Sequence, residues 1–159
     1  MSDKTLVLAL GNPLRGDDGA GAAIIENLET LDLPENIVLM DGGTPGLETV
    51  LLMQGYDRVI VIDAAEMQLP PGTWRQFTPE MVRLQSRDLY LRGTLHYAGL
   101  AEALALGEAM DLLPSEIIIF GIQPQEIGWE IGLTPLVKAA IPAVSMAITE
   151  VLHGENTCC

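Results

Sequence analysis

Apolar residues along the chain fall into two kinds of segment. Continuous apolar runs, typical of strands buried on both faces of a parallel sheet, occupy residues 5–10, 37–40, 58–63 and 116–121, with a shorter edge strand predicted over 73–77. Segments with apolar residues at helical spacing occupy 20–31, 44–51, 95–109 and 134–151. This alternation predicts an α/β fold with three layers, in which helices cover both faces of a mostly parallel sheet.

Local signals set the ends of these elements. Thr44-Pro45 and Thr134-Pro135 each match a helix N-cap followed by proline at the first helical position, and Thr94 is a further candidate cap. Residues 79–91 are expected to form a short helix and a mobile loop. With no linker or repeat, residues 1–159 are predicted to be one domain, and the Cys158-Cys159 end is expected to be disordered.

Charge and composition limit the classes of partner. The chain has 22 acidic and 8 basic residues, a net charge of −14, which disfavours binding to nucleic acid or to an anionic membrane. No uninterrupted apolar run reaches the roughly 20 residues of a membrane span, and no signal peptide is recognised. Adjacent cysteines at a chain end fit a reducing compartment. The protein is therefore expected in the cytoplasm.

Acidic residues stand where the strands end. The first strand leads into a glycine-rich turn that contains Asp17 and Asp18, the second ends at Asp41 and the third at Asp63. In an open parallel sheet ligands bind beyond the carboxyl ends of the strands. If these strands are neighbours, Asp17 or Asp18 approaches the other two, and such carboxylates must raise their pKa values or share a cation. Alternatively, Asp17 or Asp18 caps the following helix.

The glycine-rich turn also invites a nucleotide-binding interpretation, since such turns cradle phosphates. Its glycines, at 11, 16, 19 and 21, do not have the dinucleotide spacing, and no Gly-Lys-Ser/Thr follows. Two carboxylates in the turn would repel a phosphate group. The sequence therefore favours a cation over a nucleotide.

His96 is the histidine better placed for chemistry, since His153 lies near the chain end. It belongs to the segment Thr94–Gly99, which is expected to open a helix and to project the ring toward the same crevice. One imidazole with two carboxylates suits Zn, Ni, Mn or Fe better than calcium.

The turn Gly11-Asn12-Pro13-Leu14-Arg15-Gly16-Asp17-Asp18-Gly19 resembles the N-terminal signature of the hydrogenase maturation endopeptidases. Further segments follow in that family's order, and the resemblance covers about residues 5–152: Asp41–Thr44, Val61–Ala64, the His96 segment, Gly121–Pro124 and Gly132–Pro135. It implies a twisted five-stranded sheet. It also implies that Asp18, Asp63 and His96 contact a metal.

The resemblance implies an activity as well. The partner would be the precursor of a [NiFe]-hydrogenase large subunit, from which a C-terminal extension is removed after nickel insertion. Nickel would be carried by this substrate, and zinc or cadmium could replace it in the isolated protein. The expected catalytic set is Asp18, Asp63 and Asp41, with Asp41 a candidate base, in an aspartic-type or metal-assisted peptidase. The protein is expected to be a monomer. The alternative is a nickel-binding maturation chaperone that does not hydrolyse peptides.

Overall fold

Five strands form the sheet at the centre of the molecule, and all but the edge strand Trp74–Phe77 are rich in Val, Ile and Leu. The computed structural model describes residues 3–84 and 98–154. The strands are β1 (Thr5–Ala9), β2 (Ile37–Asp41), β3 (Arg58–Ala64), β4 (Trp74–Phe77) and β5 (Glu116–Ile122). They lie in the order β2-β1-β3-β5-β4.

The sheet is parallel except at one edge. β1 pairs in parallel with β2 and β3, β3 pairs in parallel with β5, and β4 pairs antiparallel with β5. A parallel connection needs a crossover of a dozen or more residues. The chain between β3 and β4 is shorter and turns back at Pro70–Gly72, so β4 runs in the opposite direction. The predicted edge strand and the mostly parallel sheet are both confirmed.

Helices cover both faces of the sheet. They are α1 (Ala20–Glu29), α2 (Leu47–Leu52), α3 (Ala98–Ala109) and α4 (Pro135–His153), with a 3₁₀ helix at Gly16–Gly19 and further helical residues at 79–84. One apolar cluster joins α1 and α4 to the face of the sheet that carries Val7, Ile60 and Phe120. The other joins α2 and α3 to the face that carries Leu8 and Val61. The alternation of side chains along each strand thus gives two cores, as a three-layer α/β fold requires.

The two Thr-Pro signals have different outcomes. Thr134 is the N-cap residue of α4 and Pro135 its first residue, as predicted. The prediction at Thr44-Pro45 is wrong, because Gly46 is the N-cap residue of α2 and the helix begins at Leu47. There the Gly46 N–H donates to Thr49 Oγ1 at 3.0 Å, so a side chain inside the helix stabilises its start. The predicted cap at residue 94 lies outside the described residues.

Among the described residues one helix, α4, is long and apolar enough by length and composition to cross a membrane. Core helices of soluble proteins pass the same test, and one such helix is weak support for a span. Val137, Ile141 and Val144 are buried in the cluster shared with α1. The sequence-based expectation of no membrane span counted only uninterrupted apolar runs, and Lys138 and Glu150 interrupt the apolar residues of α4. The test on helix length and mean hydropathy tolerates such charged residues, so α4 passes it.

Candidate active site

The residues that follow β1 are joined by main-chain hydrogen bonds to β3 and to the turn after β2. β1 lies between β2 and β3, so the carboxyl ends of the three strands are neighbours, as the sequence analysis assumed. Past the end of β1, the Leu10 N–H donates to the Ile62 carbonyl at 2.8 Å. The next N–H, of Gly11, donates to the Gly43 carbonyl at 2.8 Å. Backbone atoms therefore fix the spacing of the three strand ends.

The turn after β1 folds back on itself, so that Asp18 contacts Gly11 and Asn12, the first residues of the turn. Gly11 has a φ of +120°, and a Cβ there would lie 2.1 Å from the main-chain oxygen of Asp18. Only glycine fits that backbone and that approach. The Asn12 N–H then donates to Asp18 Oδ2 at 2.8 Å. The carboxylate of Asp18 is thereby held over the end of β1.

Asp63, the second-last residue of β3, is the buried partner of Asp18. It is only 9% exposed. Burial raises the pKa of Asp63 to about 8, the nearby negative charge of Asp18 adds to the rise, and a hydrogen bond from the Ala64 backbone opposes it. Desolvation and a like charge both disfavour the ionised carboxyl, whereas an N–H donor favours it. The structure thus brings Asp18 and Asp63 together, as expected from the sequence.

Asp41 does not join them. It ends the edge strand β2 and is exposed, and its Oδ1 accepts a hydrogen bond from the Gly43 N–H at 3.1 Å. β2 and β3 flank β1, so their backbones are separated by about 10 Å, two strand spacings. Among the described residues no group of three or more Asp, Glu, His or Cys could hold a metal ion. As expected, Asp41 lies at the same carboxyl edge of the sheet as Asp18 and Asp63. The three carboxylates nevertheless do not form one group that could hold a metal ion.

His96, the third metal-contacting residue implied by the resemblance, lies outside the described residues. The described chain resumes in α3, whose Gly99 packs against the turn after β2: a Cβ at Gly99 would lie 2.8 Å from the Pro45 carbonyl oxygen. The ligand set Asp18, Asp63 and His96 therefore stays a prediction, of which the structure places the two carboxylates.

Asp17 has a different role from its neighbour. It is fully buried, and its carboxylate accepts four hydrogen bonds from the segment before α4. Oδ2 accepts from the N–H groups of Gln125 (2.9 Å) and Glu126 (3.0 Å) and from Thr134 Oγ1 (2.7 Å), while Oδ1 accepts from the Thr134 N–H (2.7 Å). Burial raises the pKa of Asp17, but these donors outweigh it and leave that pKa below its ordinary value.

The alternative in which Asp17 or Asp18 caps the following helix is therefore wrong. The N-cap residue of α1 is Gly19, and no side chain bonds to the helix start. Asp17 instead fixes the turn to a loop more than 100 residues later in the chain. The hydrogen bonds show that Asp17 supports the turn.

Gln123 is a residue that the sequence analysis noted only within a longer motif. It is buried just after β5, and its Oε1 accepts from the N–H groups of Met67 (2.6 Å) and Leu69 (3.3 Å). Its Nε2 donates to Glu66 Oε2 at 2.9 Å. Gln68, between Met67 and Leu69, has a φ of +58°, a conformation that non-glycine residues rarely adopt. Gln123 thus fixes the loop that follows Asp63. The signals for it in the sequence were its place in the motif Gly121–Pro124 and its position after an apolar run.

These features define a class of protein first: an α/β protein with a buried carboxyl group, Asp63, beside a half-buried one, Asp18, at the carboxyl edge of its sheet, suited to acid–base chemistry or to contact with a cation. The hydrogenase maturation protease family model matches residues 22–151. The chain belongs to the hydrogenase maturation protease family. The expected enzyme class, a peptidase, is thereby confirmed.

Individual relatives agree with the family. The chain is 32% identical over 153 residues to the hydrogenase expression/formation protein HupD of Rhizobium leguminosarum bv. viciae, covering 95% of this chain and 75% of that protein. The solved structure of the hydrogenase maturating endopeptidase HybD from E. coli has a TM-score of 0.82 at 30% identity, covering 96% and 93% of the two chains. The hydrogenase 2 maturation peptidase from Thaumarchaeota archaeon SCGC_AB-539-E09 has a TM-score of 0.71 at 32% identity, covering 94% and 98%.

Proposed function

We propose that the protein is an endopeptidase that removes a C-terminal extension from the nickel-loaded precursor of a [NiFe]-hydrogenase large subunit. The observation that carries this proposal is the pairing of the half-buried Asp18 with the buried Asp63, whose pKa is raised to about 8. Membership of the protease family supplies the reaction class. The nickel is part of the substrate and marks a precursor that is ready to be processed.

The carboxylate pair suits both parts of this activity. In the metal-free protein near pH 7, a carboxyl with a pKa of about 8 holds a proton, so Asp63 is able to take up and release a proton. Replacing that proton by a cation relieves the same repulsion between Asp18 and Asp63. In this proposal the two carboxylates, with His96, contact the nickel of the precursor, and in the isolated protein zinc or cadmium takes its place.

Asp63 is the residue on which hydrolysis depends in this proposal. It is buried where Asp41 is exposed, and it lies between Asp18 and the loop that Gln123 fixes. A water or scissile carbonyl placed by the nickel would lie within reach of a group able to exchange a proton. The partner is the precursor protein, and the protein acts as a monomer in the cytoplasm.

The test compares nickel-loaded and nickel-free precursor, each mixed with the purified protein and followed by the loss of mass of the extension. We expect cleavage of the loaded precursor only. Asp63→Asn should slow it by about 10³-fold, the size typical of losing a positioned acid or base with its metal contact. Asp32→Asn, at an exposed aspartate before β2, is the matched control and should cleave normally.

Each outcome bears on a different part of the proposal. Equal cleavage of both precursors would remove nickel recognition, and full activity of Asp63→Asn would remove the assignment of that residue. Binding of nickel-loaded precursor that is never shortened would favour the chaperone alternative.

A further inference from the structure

The loop of residues 125–134, here called the Trp129 loop, exposes three large apolar side chains. Ile127, Trp129 and Ile131 are 41%, 83% and 79% exposed. Single exposed apolar residues are common on protein surfaces, but a contiguous group marks an interaction site. Tryptophan is also among the residues that contribute most to binding at protein interfaces.

The exposure does not come from a loosely held loop. Asp17 accepts hydrogen bonds from the backbone N–H groups of Gln125, Glu126 and Thr134, at both ends of the loop. The Gly16 N–H donates to the Glu130 carbonyl at 2.8 Å, in the middle of the loop. A backbone held at both ends and at its centre presents the apolar side chains in a fixed arrangement, which lowers the entropy lost on binding.

The loop lies beside the candidate active site. The guanidinium carbon of Arg15 lies 4.9 Å from the centre of the Trp129 ring, a cation–π contact. Arg15 belongs to the turn that carries Asp18. A protein bound to Trp129 would therefore lie next to the carboxylate pair.

Acidic side chains border the apolar ones. Glu126, Gly128 and Glu130 alternate with the three apolar residues and line a cavity of about 240 Å³, which Ile131 and Gly16 also line. Within the described part of the chain neither Glu126 nor Glu130 has an ion-pair or side-chain hydrogen-bond partner. The whole chain carries a net charge of −14. A segment that binds here should therefore be basic as well as apolar.

We propose that the Trp129 loop is a docking surface for the hydrogenase precursor, which binds it through an extended segment with both apolar and Lys or Arg side chains. The apolar side chains contact Ile127, Trp129 and Ile131, and the basic ones lie toward Glu126 and Glu130. This inference rests on the proposed function, because it takes the precursor to be the substrate. It adds a specificity-determining surface outside the carboxylate pair.

The experiment measures kcat and KM with nickel-loaded precursor, and the dissociation constant of the same complex by biolayer interferometry. The variant Ile127→Ser/Trp129→Ser/Ile131→Ser should raise KM and the dissociation constant about tenfold or more, as expected for an interface centre, and leave kcat within about twofold. The matched control is Leu106→Ser/Met110→Ser/Met146→Ser, whose residues are also exposed but lie on α3, just after it, and on α4. It should change neither quantity.

A second variant tests the chemistry of the bound segment. Glu126→Gln/Glu130→Gln should weaken binding about threefold at low salt, and the difference should vanish in high salt, because surface charge pairs are weak and screened. An unchanged dissociation constant at low salt would contradict the basic character of the segment.

The remaining outcomes separate this proposal from the proposed function. Triple-serine protein that binds and cleaves like the wild type overturns the docking surface and leaves the peptidase activity standing. A fall in kcat with unchanged KM also overturns it, since the loop would then act on the turn that carries Asp18. Wild-type protein that binds precursor through the loop without cleaving it overturns the proposed function alone. Should the triple variant not fold, Trp129→Ser alone, at a position that makes no core contact, decides the question.

Discussion

Asp17 and Asp63 are both buried aspartates near the same strand ends, yet their carboxyl groups have opposite properties. Four hydrogen bonds from the segment before α4 keep Asp17 ionised and its pKa low. Asp63 has one opposing backbone donor and a second carboxylate beside it, and its pKa rises to about 8. Burial alone therefore does not decide how a carboxyl behaves. The hydrogen-bond donors and the charges around the carboxyl decide it as well.

The difference separates a structural carboxylate from a reactive one. The hydrogen-bonding capacity of Asp17 is used by its own chain, so it has little left for a substrate. Asp63 is buried without enough donors, a state that a proton or a cation would relieve. The negative charge of Asp18 adds to the raised pKa of Asp63. Asp17, the residue before Asp18 in the sequence, is instead a structural carboxylate.

The largest expected effect is on stability. Asp17→Ala leaves three backbone N–H groups and a hydroxyl without their acceptor, and we expect the free energy of unfolding to fall by about 3 kcal/mol or more. Asp63→Asn, which replaces a carboxyl that must take up a proton on folding by an amide that need not, should leave it unchanged or higher at pH 7. Urea denaturation followed by circular dichroism measures both. Equal losses in the two variants would mean that the hydrogen bonds do not distinguish the carboxylates.

A smaller effect concerns pH. Between the ordinary pKa of 3.8 and the folded value of about 8, the folded protein keeps a proton on Asp63 that the unfolded chain has released. The free energy of unfolding should therefore fall as pH rises through this window and level off above it. In metal-free buffer Asp63→Asn should lack this pH dependence and gain about 2 kcal/mol over the wild type between pH 6 and pH 8. Parallel stability curves would contradict the raised pKa.

The smallest effect is expected at Asp41. It is exposed at the edge strand and apart from the pair, so Asp41→Asn should lower kcat/KM less than about tenfold, roughly 1 kcal/mol. Loss of a general base typically slows a reaction by about 10²–10⁴-fold. Steady-state kinetics on the precursor decides, and a loss in that larger range would restore Asp41 as the candidate base.

Most of the fold could be predicted because its strands are continuous apolar runs that end at glycine, proline or aspartate. β1 and β3 differ from their predicted bounds by one residue each. The start of α2 was mispredicted because Thr44-Pro45 has the same local pattern as Thr134-Pro135. What differs is nonlocal: Pro45 contacts Gly99 of α3, and Gly43 has a φ of +67°, so the chain enters its helix only at Leu47.

The site was predictable in part for the same reason. Asp18 follows β1 and Asp63 ends β3, so the two residues come together once β1 and β3 are taken to be adjacent parallel strands. The role of Asp17 was not predictable, since its partners lie more than 100 residues away and are mostly backbone N–H groups that carry no sequence signature. The same holds for Gln123, whose partners include two backbone N–H groups of the loop after β3.

The main-chain bonds from Leu10 to Ile62 and from Gly11 to Gly43 have a consequence for divergence within the family. Bonds between backbone atoms persist when side chains are replaced, provided that Gly11 keeps its conformation. The architecture of the strand ends can therefore survive substitution of most surrounding residues. A TM-score of 0.82 at 30% identity to the E. coli structure shows that the backbone is similar although most residues differ. Exposed loops can thus change in sequence while the backbone at the strand ends keeps its arrangement.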